Sequence, residues 1–261
     1  MSENLVASGY DAVYAALPGS PTFHRIWSTL ACGADYPAGF GHISFLTLGE
    51  LRELTERLEL CGGGLLVDLA CGAGGPGLWV ASMTKSRLIG IDLSGAGLLQ
   101  ARRRATVMHT PATFVRATLS AVALQRGQAD AAMSVDAIQY VPDKQAAVAE
   151  VARVLRSGAR LVFTAFELEP DHVSDLPVLG DDPVSDYRPL LEGSGFVVES
   201  YEETPRWQER VVATYEAVLA AADILGQELG AEAFAALAFE MMLTLERDPY
   251  RRRVLAVARR V

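Results

Sequence analysis

Two carboxylates bracket a glycine-rich turn. The run Leu65-Leu66-Val67-Asp68-Leu69-Ala70-Cys71-Gly72-Ala73-Gly74-Gly75-Pro76-Gly77 passes from apolar residues through an acid into glycines, and Asp92 follows in Ile89-Gly90-Ile91-Asp92-Leu93-Ser94. Gly72, Gly74 and Gly77 satisfy a nucleotide-binding fingerprint, in which glycines permit a tight turn and let a cofactor approach the backbone. That spacing alone is weakly specific. An acid after a second strand suits ribose hydroxyls in several cofactor classes, so Asp92 supports adenosine binding without choosing the cofactor. Asp68 chooses: a carboxylate at the end of the first strand repels a pyrophosphate resting on the turn and attracts a cationic ligand.

The order D-x-A-C-G-x-G, followed by Ile89 to Ser94, resembles the S-adenosylmethionine (SAM)-dependent methyltransferases with the Rossmann-like fold. The likeness covers most of the chain from about residue 62 and is densest between Leu65 and Ser94. It implies that the loop, with Ala70, Gly72 and Gly74, wraps the methionine part of SAM, that Asp68 reaches the ammonium through water, and that Asp92 holds both ribose hydroxyls. Leu93 and Ser134, at the ends of the second and fourth strands, join the expected cofactor contacts. Adenine recognition is expected from Ala117-Thr118-Leu119, where many relatives carry Gly-Asp-Leu, so that Thr118 must act as a neutral acceptor. Ala70 stands where glycine is usual, and its methyl group is expected to require a negative φ. Tyr10 and Tyr14 resemble lid tyrosines that reach the SAM carboxylate; packing on a helix is an equal reading.

Methyl transfer from a sulfonium is an in-line displacement on an activated carbon, so alignment, exclusion of water and removal of the acceptor's proton are the protein's tasks. Three residues are candidates for acid–base or orienting work. His42 lies in the glycine-flanked loop Gly39-Phe40-Gly41-His42; Tyr140 follows strand four, where related enzymes often have histidine; Glu167 ends strand five. Asp136, Gln139 and Trp207 are the expected substrate contacts. His24 and His109 read as surface or packing residues, and His172 as part of a solvated loop between Glu167 and Pro183. No metal is expected. Cys32, Cys61 and Cys71 lack metal-ligand spacing and read as free thiols of a reducing compartment.

The elements that position these groups alternate from Leu65 onward. Strands are expected at Leu65 to Ala70, Arg87 to Asp92, Thr113 to Arg116, Ala129 to Val135, Arg160 to Phe166 and Phe196 to Glu202. Helical patterns lie between them, one of them closed by Ser157-Gly158. Such alternation implies a parallel sheet with helices on both faces and ligands at the carboxyl ends of the strands. The family resemblance adds a last strand, Tyr250 to Arg260, antiparallel between strands five and six. The expected fold is therefore α/β: a doubly wound, seven-stranded, mostly parallel sheet with one antiparallel strand. Residues 1–61 form a helical lid, in which Thr47 and Glu50 match a capping box. Residues 62–261 form the cofactor domain, with a helical cap inserted at about 206–247. Two apolar stripes mark that cap, one from Val211 to Ala222 and one through Phe234, Leu237, Ala238, Met241, Met242 and Leu245.

A formal net charge of −9 and a pI of about 5.0 oppose nucleic-acid binding. With 50% hydrophobic residues a large core is available. No apolar run reaches the roughly 18 residues of a membrane span, and a soluble cytoplasmic protein, monomer or homodimer, is expected. The leading expectation is a SAM-dependent methyltransferase that acts on a small, partly apolar metabolite of specialised metabolism and releases S-adenosylhomocysteine (SAH). Three alternatives stand beside it. The histidine missing at Tyr140 suggests a SAM-fold enzyme that cyclises or rearranges its substrate; the others are a non-catalytic SAM or metabolite sensor and an NAD-dependent oxidoreductase.

Overall fold

A computed structural model describes residues 3–37, 39–40, 42–169 and 184–261. The N-terminal helices are α1 (Glu3–Ala16), α2 (Pro21–Ile26), which runs into a π-helical turn, Trp27–Ala31, and α3 (Leu48–Arg57). The capping box at α3 is formed: Glu50 N–H donates to Thr47 Oγ1 at 3.2 Å and Thr47 N–H to Glu50 Oε2 at 2.8 Å. The α/β core follows as β1 (Leu65–Leu69), α4 (Gly75–Thr84), β2 (Arg87–Asp92), α5 (Gly95–Met108), β3 (Ala112–Arg116), β4 (Ala129–Val135), α6 (Lys144–Val154), β5 (Leu155–Leu168), α7 (Arg188–Gly193) and β6 (Phe196–Glu203). A helical insertion follows as α8 (Trp207–Ala220), α9 (Ala222–Leu229) and α10 (Ala231–Arg247), and then β7 (Arg251–Arg260).

The seven strands are ordered β3-β2-β1-β4-β5-β7-β6, with β7 antiparallel to both neighbours and the other pairs parallel. The expected fold class is the observed one. Strand order reverses between β1 and β4, which opens a crevice at their carboxyl ends. Every residue of β1 is buried, as a strand covered on both faces requires. Its alternation sorts side chains between layers: Val67 and Leu69 join the core under α6 and α7, while Leu66 joins the core under α3, α4 and α5. Asp68 shares the parity of Leu66 and therefore faces α4.

Above the carboxyl ends, the N-terminal helices and the helical insertion share a third core. Phe23 stacks on Trp27 at 4.9 Å between ring centroids, and Phe45, Phe166, Trp207, Val211, Val218, Leu225 and Met241 complete it. No described helix is long and apolar enough to cross a membrane.

Two details depart from the sequence pattern. Ser157-Gly158 does not close a helix: α6 ends at Val154, and both residues lie in β5, where pairing to β4 jumps from Leu155 to Arg160 between Ala129 and Ala131. The jump is a bulge, and Gly158 takes a φ of +81° in it. The cap holds three helices rather than two, because Gly230, with φ +89°, separates α9 from α10. His172 lies outside the described residues.

Candidate functional site

The turn from β1 to α4 is built around Asp92. One oxygen of this carboxylate accepts from Gly72 N–H at 2.7 Å and the other from Ser94 N–H at 2.7 Å, at the N-terminus of α5. Gly72 and Gly74 have φ of +50° and +75°. A Cβ on Gly72 would collide with the Tyr14 hydroxyl, and one on Gly74 would lie 2.9 Å from Ala101 Cβ. Ala70 departs from expectation: its φ is +55°, so the methyl group is carried in the left-handed region at a cost of about 1–2 kcal/mol. The sharp exit from β1 sets this backbone whichever residue fills it.

A cavity of about 790 Å³, counting its open mouth, lies at the carboxyl ends of β1, β2 and β4. It brings together Tyr10, Tyr14, Ala70, Asp92, Leu93, Ala117, Thr118, Leu119, Asp136 and Tyr140, residues spread over most of the first half of the chain. Burial raises the pKa of Asp92 against its two backbone hydrogen bonds, and a bound ribose would extend that set of donors.

Residues 67–163 match the family model described as a methyltransferase domain. Methyltransferase GfsG of Streptomyces halstedii is 27% identical over 197 residues, which cover 70% of each chain. The 27-O-demethylrifamycin SV methyltransferase of Amycolatopsis mediterranei is 28% identical over 174 residues, 64% of this chain and 60% of that one. In fold, the crystal structure of the 4+2 cyclase SpnF superposes with a TM-score of 0.76 at 20% identity, over 98% of this chain and 94% of its own. The chain carries a methyltransferase domain of the SAM-dependent, Rossmann-like kind. It is an enzyme, and its cofactor is SAM; the oxidoreductase and sensor readings fall.

Other residues singled out in the sequence of this methyltransferase lie around the cavity without lining it. Asp68 sits behind the turn against Gly77, whose N–H its carboxylate accepts; burial and the charge of Asp92 push its pKa up to about 8. Ser134 is buried with its hydroxyl on the Leu69 carbonyl at 3.1 Å, a link between β4 and β1. Gln139 donates to the Asp136 carbonyl at 2.6 Å. Trp207 belongs to the lid–cap core, with Nε1 donating to Glu203 at 2.8 Å.

The three acid–base candidates separate. His42 lines a second hollow with Tyr36 and Arg104. Its Nδ1 meets Ser44 Oγ, its Nε2 lies 3.6 Å from Cys32 Sγ, and burial pushes its pKa down to about 4. Glu167 accepts from the Tyr201 hydroxyl and pairs with Arg252 at 2.9 Å, its register partner across β5 and β7. Tyr140 alone lines the cavity, edge-on to Tyr10 at 5.7 Å between centroids. Burial pushes its phenol up to about 12, so it stays neutral and donates. Asp136 reaches the cavity wall, but Arg253 grips both of its oxygens, at 2.9 and 3.1 Å.

One acid escaped the sequence reading. Burial pushes the pKa of Glu240, on α10, up to about 7, countered only in part by Arg251, and its charge bears on Tyr10, Tyr140 and Tyr215. The signal was present: Glu240 follows Leu237 by three positions and so falls on the apolar face of its helix. Among the described residues no group of three or more His, Cys, Asp or Glu could hold a metal.

Proposed function

We propose that this enzyme methylates a hydroxyl of a small, partly apolar natural-product metabolite. The acceptor lies between the cofactor cavity and the cap, with Asp92 on the cofactor's ribose and Glu240 taking the acceptor's proton. The observation that carries this reading is one cavity shared by the adenosine-side residues Asp92 and Thr118 and by Tyr10 and Tyr140, which sit beside Glu240 beneath an aromatic lid. The names of the relatives support it, since one is a 27-O-demethylrifamycin SV methyltransferase. In this reading residues 1–61 and about 206–247 act as lid and cap over the α/β core. SAM supplies a methyl group already activated on a sulfonium. The chain's residues align the acceptor, exclude water and accept its proton. Incubation with SAM and hydroxylated polyketide lactones tests the reading: SAH and a product heavier by one methylene are expected. A product of unchanged mass without SAH would favour the cyclisation reading, which Tyr140 in the place of a histidine keeps in view.

Asp92→Ala is expected to weaken SAH binding by about 1.5–3 kcal/mol, the scale of hydrogen bonds to a charged group. Unchanged affinity in a calorimetric titration would remove Asp92 from the site.

The raised pKa of Asp68 gives a pH dependence with a definite sign. A cationic ligand favours the ionised carboxylate, so SAM binding expels the proton that Asp68 holds below about pH 8. Affinity should therefore strengthen from about pH 6 to 8 with proton release, and Asp68→Asn should abolish both effects. Equal pH profiles for the two proteins would refute the electrostatic role.

A further inference from the structure

On α1, Ala7, Tyr10 and Tyr14 recur at i, i+3 and i+7 and all three line the cofactor cavity, so this helix lies across the adenosine side. Asp11 stands beside that face, partly exposed, and points at the N-terminus of α5 instead. Its Oδ1 accepts from Ser94 Oγ at 2.7 Å and from Ala96 N–H at 3.0 Å, and its Oδ2 lies 3.7 Å from Arg116. Each partner is tied to a cofactor segment. Ser94 donates its own N–H to Asp92 and caps α5 through Gly97 N–H; Arg116 donates to the Leu93 carbonyl at 2.8 Å and immediately precedes Ala117-Thr118. A carboxylate on the first turn of α5 also gains from the positive end of the helix dipole. One turn along α1, Gln100 of α5 donates to the Tyr14 carbonyl at 2.5 Å.

We propose that Asp11 is a positioning residue for the cofactor: by holding α1 on the N-terminus of α5 it keeps Tyr10 and Tyr14 across the cavity, and its release sets the rate at which SAM enters and SAH leaves. Cofactor exchange then requires α1 to lift from α5, and the polar contacts that resist lifting include the hydrogen bonds and ion pair of this side chain and the bond from Gln100, beside the packing of Tyr14 on Gly72 and Gly97. The carboxylate touches neither cofactor nor acceptor. It acts through Tyr10, Tyr14 and Ser94.

The inference rests on the proposed cofactor site, and its test separates the two. Stopped-flow binding and release of SAH is measured for the full chain, for Asp11→Ala, for Asp11→Asn and for Asp92→Ala, with hydrogen exchange of the residue 3–16 amides followed in each. Asp11→Ala is expected to accelerate SAH release by roughly tenfold to a hundredfold, as loss of hydrogen bonds to a charged group implies. Exchange should rise in α1 while the β1 and β4 amides stay protected. Asp11→Asn, which retains one oxygen for Ser94, should fall between. Unchanged SAH rates and unchanged α1 exchange in both Asp11 variants, while Asp92→Ala loses affinity, would overturn the role of Asp11 and leave the cofactor site standing. Loss of neither affinity nor rate in any variant would overturn both. If Asp11→Ala fails to fold, Asp11→Asn with the exchange measurement decides alone, faster α1 exchange and faster release supporting the role and wild-type values of both refuting it.

Discussion

Glu240→Gln is expected to lower kcat by roughly 10²- to 10⁴-fold, the contribution of a positioned general base, while SAH affinity stays within about a factor of two. The step it disables is specific. In the proposed O-methylation, Glu240 would accept the proton of the acceptor hydroxyl while SAM would supply the activated methyl group. A carboxyl of ordinary pKa would be too weak a base for an alcohol; burial under the cap raises that of Glu240 to about 7 and brings its basicity toward the working pH. Tyr140 and Tyr10 have phenols raised by burial, so near neutrality they stay protonated and orient oxygen by donating. The pH profile distinguishes this role from packing. At saturating SAM, kcat/KM for the acceptor in the wild type should climb through about pH 7 and level off, because the base works only when ionised; in Glu240→Gln the climb should vanish. A variant that keeps the ascending limb at a reduced rate would move the base elsewhere, and Glu167, also raised by burial but held by Tyr201 and Arg252, would be next to test.

The turn and crevice that the proposed cofactor site uses were legible in the sequence, and the placement of Glu240 was not, for a physical reason. Glycine turns and strand-end acids act through backbone geometry within a few residues, so Asp68, Gly72, Gly74 and Asp92 declare themselves locally. The antiparallel β7 was expected only because the chain resembled a family. Ala70 shows the limit of local rules: a left-handed residue is read as glycine by its conformational cost, yet here the chain carries an alanine at φ +55° and absorbs the strain. The glycines flanking His42 mark it as a candidate, while its contacts are with Cys32 and Ser44, partners that no spacing rule connects. Glu240 was read as part of an amphipathic helix because the tyrosines that give it meaning lie on α1, after β4 and on α8, separated from it by up to most of the chain. Ser157-Gly158 imitated a helix stop because a strand bulge and a helix terminus want the same residue type.

Arg253→Ala is expected to destabilise the fold by about 3–5 kcal/mol, the cost of breaking a buried ion pair from one side. Arg253 is fully buried on β7. It donates to both oxygens of Asp136, to Glu50 at 2.9 Å and to Thr204 at 3.0 Å, and so joins the loop after β4, the first turn of α3 and the entry to the cap. Removing it strands two carboxylates, of which only Glu50 keeps a cationic partner, Arg210 at 2.9 Å. Burial alone would raise the pKa of Asp136; Arg253's charge and hydrogen bonds, with Phe45 N–H, outweigh it and hold that pKa below the ordinary 3.8. The sign follows: a carboxyl depressed on folding contributes stability that is present above its unfolded pKa and is lost as pH falls through the folded one. Wild-type stability from this pair should thus be flat near neutrality and drop only in acid. Without Arg253 only the hydrogen bonds from Phe45 N–H and Thr164 oppose burial, and loss of charge on Asp136 should then stabilise the variant as pH falls toward the range in which it protonates. Urea unfolding of wild type, Arg253→Ala, Asp136→Asn and the double variant from about pH 4 to 8 reads both effects, and the double variant should lose less than the sum of the single losses. The consequence reaches the site, because Asp136 has a φ of +49° and begins the loop that carries Tyr140 to the cavity. A left-handed aspartate of this kind persists only where its surroundings hold it, so Arg253→Ala should also weaken the edge-on contact of Tyr140 with Tyr10. Additive losses, or equal stability of Arg253→Ala and wild type at neutral pH, would show that the cluster is not what holds this loop.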